Sequence, residues 1–295
     1  MVSIDATMTD LHERVLDWYD RNARPLPWRE PSATPWAVMV SEFMLQQTPV
    51  ARVLPIYHQW MQTWPTPADL AAASTGDAVR AWGRLGYPRR ALRLHQVATT
   101  LVSEHAGRVP SSLQELSALP GVGDYTAAAV ASFAFGQRHA VLDTNVRRVF
   151  ARVVTGIEFP GSSVTKPERK VAAGLLPPEP TAAASWGVAV MELGALVCTA
   201  GSPRCGSCPV DDLCAWRGRG YPAYDGPPRR GQTYAGTDRQ CRGRLLAVLR
   251  EAPGAVTAAR LDVAWSGDTQ RERCLASLVD DGLVTHSDDD TYALP

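Results

Sequence analysis

Apolar residues recur at steps of three and four along most of the chain, the period of helices that bury one face. In LHERVLDWYDRN, Leu11, Val15 and Trp18 share a face behind Thr9, a candidate N-cap. The prolines of RPLPWREPSATP interrupt that helix. WAVMVSEFMLQQ is apolar almost all round, which predicts a buried helix, and PVARVLPIYHQWMQTW follows it. RRALRLHQVATTLVSEHAG predicts a longer amphipathic helix ending at Gly107. SLQELSALPGVGDYTAAAVASFAFG reads as helix, tight glycine turn, helix. NVRRVFARV, ERKVAAGLL and AASWGVAVMELGALVC are further helices, and no alternating strand pattern stands out before residue 220. YPAYDGPPRRGQTYAGTDRQ is rich in Gly and Pro and reads as a linker. RGRLLAVLREAPG and QRERCLASLVDDGL are then helical, and LVTHSDDDTYALP is a short hairpin, together a winged-helix-like module. The class is all-α, without internal repeats.

Composition bounds this picture. The 295 residues are 45% hydrophobic and 20% charged, which fits a globular chain of about two domains. No apolar run reaches the roughly 18 residues of a membrane span. MVSIDATMTD lacks the basic start and apolar stretch of a secretion signal, so a cytoplasmic location is expected. Net charge is zero overall but uneven. Residues 80–153 carry ten Arg against four acids, and residues 238–295 carry seven Arg against ten acids. A basic middle suits phosphate contacts, although a solvated arginine-rich surface would look the same. The only lysines are Lys166 and Lys170.

Four features carry chemistry. In LPGVG, Gly121, Val122 and Gly123 permit a tight turn whose N–H groups can meet a phosphate at the next helix start, or form an ordinary helical corner. Asp143 in VLDTNVRRV precedes a helix and can cap it. Glu42 lies inside an apolar helix, where a carboxylate is costly unless it faces a cleft or has a buried partner. Desolvation would raise its pKa and suit it to donate a proton, and Gln46 shares its face one turn on. Cys198, Cys205, Cys208 and Cys214 cluster as metal ligands, for zinc or for an iron–sulfur cluster, while Cys241 and Cys274 stand apart.

Taken together, WAVMVSEFMLQQT, LGYP, LPGVGDYTAAA, LDTNVRRV, MELGALVC and the cysteine spacing resemble the endonuclease III superfamily of DNA glycosylases, and within it the adenine DNA glycosylases of the MutY family. The resemblance covers roughly residues 8 to 220. It implies a helix-hairpin-helix six-helix barrel over 31–135 and an iron–sulfur lobe built from 1–30 and 136–219. A linker over 220–237 and the small module over 238–295 follow. It also implies a [4Fe–4S] cluster on the four cysteines, and a monomer acting on double-stranded DNA that holds an adenine mispair, away from membranes.

The implied activity is base excision: removal of adenine opposite 8-oxoguanine or guanine, after the base is flipped into a pocket. Glu42 would give the proton that lets adenine leave. Asp143 would face the sugar cation, with Asn145 orienting the site, the logic of paired carboxylates in glycoside cleavage. Arg24, Trp28, Arg29 and Glu192 resemble the walls and polar readers of the adenine pocket. Gln47 and Tyr87 resemble wedges into the base stack, and Thr48 and Leu85 resemble contacts to the opposite base. Relatives that also cut the strand carry a lysine just after the hairpin, whose amine forms a Schiff base. Here Tyr125 stands in that neighbourhood and resembles the residue closing the pocket beside Asp143, so the expectation is a monofunctional hydrolase that leaves an abasic site.

The sequence also departs from the pattern. Many adenine glycosylases continue into a large domain that reads 8-oxoguanine, and about 75 residues after position 220 are too few for it. Pro88 stands where a second tyrosine is common. The rivals are a thymine glycosylase acting on G·T mismatches and a DNA-binding iron–sulfur protein without catalysis.

Overall fold

The computed structural model describes residues 4–227 and 233–295. Helices dominate, in the order α1 (Ile4–Asn22), α2 (Pro35–Leu45), α3 (Val50–Thr63), α4 (Pro67–Ala72), α5 (Thr75–Trp82), α6 (Arg89–Glu104), α7 (Leu113–Ala118) and α8 (Asp124–Phe135). They continue with α9 (Thr144–Phe150), α10 (Lys166–Gly174), α11 (Pro180–Leu196), α12 (Ala215–Gly218) and α13 (Asp238–Glu251). The chain then runs β1 (Val256–Thr257), α14 (Ala258–Asp262), α15 (Asp268–Asp280), β2 (Thr285–Ser287) and β3 (Thr291–Ala293). Short single turns at Pro27–Arg29 and Cys205–Ser207, and a π-helical turn at Ala151–Thr155 that continues α9, complete the described elements. No helix is long and apolar enough to cross a membrane among the described residues.

Two compact units form. The first comprises Met1–Val38, Ser111–Ser117 and Val122–Pro228. Its centre is α11, whose PTAAASWGVAVMELGAL sequence is apolar nearly all round and therefore buried. α1, α8 and α9 pack against it. Val15, Val146, Trp186, Val190 and Leu193 meet in this core. The start of α11 is held by Glu179, whose carboxylate accepts from the N–H groups of Thr181 at 3.0 Å and Ala182 at 2.6 Å. α9 and α11 approach so closely at Gly194 that a Cβ there would lie 2.7 Å from Asn145 Cβ and 2.9 Å from its carbonyl oxygen.

The second unit comprises Met39–Pro110, Ala118–Gly121 and Arg229–Pro295. Trp60 stacks edge-to-face on both Trp64 and Trp82. α4 and α6 pack closely, with Leu70, Leu94, Val97 and Leu101 fully buried. The C-terminal part runs helix, strand, two helices, hairpin, and its antiparallel sheet has the order β1-β3-β2, with Val256 opposite Tyr292 and His286 opposite Tyr292 on the other side. This is winged-helix topology. α13 and α15 close it through Cys241, Leu245, Leu249, Leu275 and Leu278, all buried.

Several elements differ from the sequence reading. α1 begins at or before Ile4, so Thr9 is inside the helix and does not cap it. α6 stops at Glu104 and its tail closes when Gly107 N–H reaches the Leu101 carbonyl at 2.8 Å. α4, α5, β1 and α14 escape the periodicity argument because each is at most eight residues long. Their start signals were nonetheless present: Thr66 and Asp69 form a capping box, and Ser74 caps α5. The linker expected over 220–237 lies partly outside the described residues, at 228–232.

Gly194→Ala tests the α9–α11 contact. The new methyl meets backbone as well as a side chain, so stability should fall by about 1–3 kcal/mol, measured as a lower denaturant midpoint at unchanged slope.

Candidate functional site

Glu42 lies on α2 with 5% of its surface exposed, between Ser41 and Phe43, which are buried. The helix ends at Leu45, and its last carbonyls are collected by one side chain that the sequence reading did not single out. Arg90 Nη1 donates to the carbonyls of Phe43 at 2.8 Å, Met44 at 3.0 Å and Gln46 at 2.7 Å. Its Nη2 donates to Thr48 Oγ1 at 2.9 Å and to the Gly86 carbonyl at 3.0 Å. The guanidinium also lies over the rings of Trp82, at 5.2 Å, and Tyr87, at 5.5 Å. Burial lowers its pKa to about 10, which leaves it charged at neutrality. Arg90 thus fastens the helix bearing Glu42 to the turns 46–48 and 83–88. The missed signal was positional: Arg90 falls on the buried face of α6 with Leu94, Val97 and Leu101.

Those two turns hold Gln47 and Tyr87, expected as wedges into the base stack, and Thr48 and Leu85, expected against the opposite base. Gln47 and Tyr87 both have left-handed backbones, at φ 55° and 47°. Non-glycine residues hold that conformation at a cost of about 1–3 kcal/mol, and such strain gathers at functional sites. Both side chains are exposed, Tyr87 by 43%. Thr48 and Leu85 are instead buried, and Thr48 Oγ1 donates to the Leu85 carbonyl at 3.2 Å. Gln46 is half-buried at the start of the first turn. Gly121, in the hairpin turn, takes φ 71°.

In the first unit, Val122 is buried and Gly123 precedes α8 in extended backbone, with open space where a Cβ would be. Tyr125 follows in the first turn of α8, half-buried. It lines one cavity with Leu142, the residue before Asp143, and with Asp124, His139 and Arg169. Lys166 and Lys170 are exposed on α10.

Asp143 does two things at once. It caps α9, its Oδ1 accepting from Val146 N–H at 2.6 Å, and its Oδ2 accepts from Asn145 Nδ2 at 2.8 Å. Burial raises its pKa above the ordinary aspartate range, opposed by those two donors and by the charge of Arg148. The chain of bonds continues. Arg148 Nη2 donates to Asn145 Oδ1 at 2.8 Å and to the Gly194 carbonyl at 2.7 Å, and its Nε donates to the Cys198 carbonyl at 2.7 Å.

Glu192, in the middle of α11, has no exposed surface. Its Oε1 accepts from Arg24 Nε at 2.6 Å and from Arg24 N–H at 3.0 Å, and its Oε2 accepts from Arg24 Nη2 at 2.6 Å and Arg29 Nη2 at 2.9 Å. Burial pushes this carboxyl upward, but the two guanidiniums outweigh it and hold the pKa at about 2. Arg29 Nη1 is buried and has no protein acceptor, which leaves one donor for a bound group. Trp28 is buried beside it in sequence.

Cys198, Cys205, Cys208 and Cys214 line a second cavity with apolar walls that include Val149 and Leu193. Burial raises the Cys198 thiol, and pushes Cys208 up to about 12. Thiolates in that wall need a cation beside them. Among the described residues no three His, Cys, Asp or Glu side chains are grouped to hold one metal ion. The donor set is four thiols lining one cavity, which suits an iron–sulfur cluster. Arg152, almost wholly buried, donates to Cys198 Sγ at 3.4 Å and to the carbonyls of Thr199 and Ala200, and stacks on Trp216 at 4.7 Å. Neither Arg148 nor Arg152 was singled out from sequence.

The Glu192 pair has a testable consequence. A carboxyl held low in the folded chain adds stability that is present above its unfolded pKa and is lost as pH falls from about 4.5 toward 2. Glu192→Gln should shrink the acid-side loss of stability across that window, seen in denaturation midpoints taken at each pH. Glu192→Ala, which strands two guanidiniums, should cost about 3 kcal/mol or more at neutral pH.

Comparison with known proteins places these features in a family. Residues 40–171 match the HhH-GPD superfamily of base excision DNA repair proteins, and residues 198–214 match the iron–sulfur binding domain of endonuclease III. The chain is 58% identical over 282 residues to the adenine DNA glycosylase of Mycobacterium tuberculosis, across 95% of this chain and 92% of that one. It is 52% identical over 281 residues to the adenine DNA glycosylase of Mycolicibacterium smegmatis, across 95% of this chain and 94% of the relative. Among solved structures it resembles a thermostable thymine-DNA glycosylase, with TM-score 0.65 and 25% identity over 73% of this chain and 98% of that one. Motifs, fold, thiol cavity and end-to-end identity lead to one conclusion: this chain belongs to the adenine DNA glycosylases of the helix-hairpin-helix base-excision superfamily and carries that superfamily's [4Fe–4S] domain.

Proposed function

We propose that the protein hydrolyses the N-glycosidic bond of adenine mispaired with 8-oxoguanine or guanine in double-stranded DNA, and leaves an abasic site. The observation that carries this reading is the half-buried Asp143, held by Val146 and Asn145, in a chain so similar, nearly end to end, to adenine DNA glycosylases. The adenine is first extruded from the stack, Gln47 and Tyr87 filling the space it leaves. Arg24, Trp28, Arg29 and Glu192 receive it. The ion-paired Glu192 stays an anion at any physiological pH, and the Arg29 Nη1 hydrogens serve a base acceptor.

Glu42 then protonates the purine, which drains charge from the glycosidic bond. Positive charge builds on the sugar, and Asp143, held anionic by Val146, Asn145 and Arg148, stabilises it until water arrives. Tyr125 closes the sugar side. Cys198, Cys205, Cys208 and Cys214 would hold the [4Fe–4S] cluster, whose iron would supply the positive charge that half-buried thiolates need. No lysine adjoins the hairpin, and an arginine stays protonated and cannot attack the sugar. The backbone N–H groups at Gly121 to Gly123 and the start of α8 meet a DNA phosphate.

Four results test this reading. Glu42→Gln and Asp143→Asn should each abolish excision while keeping affinity for the lesion duplex; a near-normal single-turnover rate in either removes that residue from the mechanism. On duplexes with A or T opposite guanine or 8-oxoguanine, only adenine should be released, and thymine release alone would favour the rival glycosylase. Strand breaks should appear only after hot alkali. The excision rate should fall toward acid as Asp143 is protonated, at a pH above the ordinary aspartate range, and Asn145→Ala should move that limb to higher pH because it removes a donor that favours the anion.

A further inference from the structure

The winged-helix module takes no part in the chemistry above, and its charges do not suit a duplex. Arg271 is paired with Asp262 and Asp268, both at 2.8 Å, and Arg273 with Asp238 at 2.7 Å. The turn of its hairpin carries Asp288, Asp289 and Asp290. What the module does touch is both ends of the turn 83–88. On one side Arg80, in the last turn of α5, donates to the carbonyls of Arg250 at 2.5 Å and Ala252 at 2.9 Å, at the end of α13. Arg250 Nε returns a bond to the Val79 carbonyl at 2.9 Å. Pro295 lies so close to Gly76 of α5 that a Cβ there would meet the Pro295 carbonyl oxygen at 2.3 Å. On the other side Arg89, the first residue of α6, pairs with Asp281 at 3.2 Å, and Asp281 is also held by Arg242 of α13. Between these anchors the backbone turns left-handed three times, at Gly83, Gly86 and Tyr87, with φ 54°, 82° and 47°. Gly83 and Gly86 take that backbone freely, but Tyr87 holds it at a cost and needs surrounding bonds to keep it there.

We propose that the C-terminal module is a brace for the 83–88 turn, with Arg80, Arg89 and Asp281 as positioning residues, and that it sets the placement of the exposed Tyr87 against the lesion duplex. This rests on the reading of Tyr87 as a residue that meets DNA. α5 and α6 pack on each other, and each is also fastened to the same small body, so that body adds a second hold on the separation of the turn's two ends. Releasing the anchors leaves the chemistry of Glu42 and Asp143 intact but lets Tyr87 relax from its left-handed state, and extrusion of the base slows.

The test uses the full chain and four variants: Tyr87→Ala, the double variant Arg80→Met/Arg89→Met, the triple combination, and Arg80→Lys/Arg89→Lys. Each is assayed by single-turnover excision on a duplex with adenine opposite 8-oxoguanine, together with amide hydrogen exchange. The brace predicts that Arg80→Met/Arg89→Met slows excision by about ten- to a hundredfold. Exchange should rise at residues 83–88 while the interiors of α3 and α6 stay protected, the triple variant should be no slower than Tyr87→Ala alone, and the lysine pair should restore both readouts. Parental rate and exchange in the methionine variant, with Tyr87→Ala slow, would overturn the brace and leave the wedge reading standing. Exchange rising throughout the unit would also overturn it, because the module would then be a general stabiliser. A parental rate in Tyr87→Ala would instead remove the wedge reading, and the brace with it.

Discussion

Arg148 donates in two directions, to Asn145, which in turn donates to Asp143, and to the carbonyls of Gly194 and Cys198. Much of the first unit follows from that buried guanidinium. It anchors the end of α11 at Gly194, two residues beyond Glu192, and it reaches the first cysteine of the iron–sulfur loop. The same charge helps keep Asp143 ionised in a place where burial favours the protonated acid. A carboxylate near a developing sugar cation has to be desolvated to act strongly and still be charged. In the proposed mechanism the relay would meet the two demands with fixed donors instead of water. It also explains the glycine at 194: the relay needs α9 and α11 nearly in backbone contact, and a side chain there would separate them.

The second unit solves a related problem with Arg90. Glu42 sits near the end of a short apolar helix, where four carbonyls lack helical partners. Arg90 takes carbonyls of that helix end and of the turn after it, and bonds Thr48 and the 83–88 turn as well. One cation thereby replaces the capping water that a solvent-exposed helix would recruit. Two left-handed residues, Gln47 and Tyr87, are held on either side of it. Strain of that kind persists where surrounding bonds over-determine the backbone, and the bonds from Arg90 do so on one side of the turn while the C-terminal module holds its ends.

The legible and illegible parts of the molecule divide along one line. Long amphipathic helices announced themselves, and so did the cysteine spacing, the glycine hairpin and the scarcity of lysine. Glu42 was conspicuous because a carboxylate in an apolar run is unusual. Asp143 was ambiguous from sequence, since capping and catalysis use the same residue type, and the structure has it capping α9, half-buried and also bonded by Asn145. Arg90, Arg148 and Arg152 were invisible, because an arginine in a helix is ordinarily a surface residue and nothing local marks the ones that fold inward. Short elements such as α4 and β1 had too few residues to establish a period.

The sequence by itself determined the helical class, the spacing of the four cysteines, the scarcity of lysine, and the family to which these motifs belong. Those are properties of residue type and short-range spacing. Only the tertiary structure decided that Glu192 meets Arg24 from 168 positions away, that Asp143 titrates above its ordinary range, that Tyr87 is left-handed, and that the C-terminal module grips α5 and α6. Each of those depends on desolvation or on contacts between distant segments, and neither is a property of any local stretch of chain.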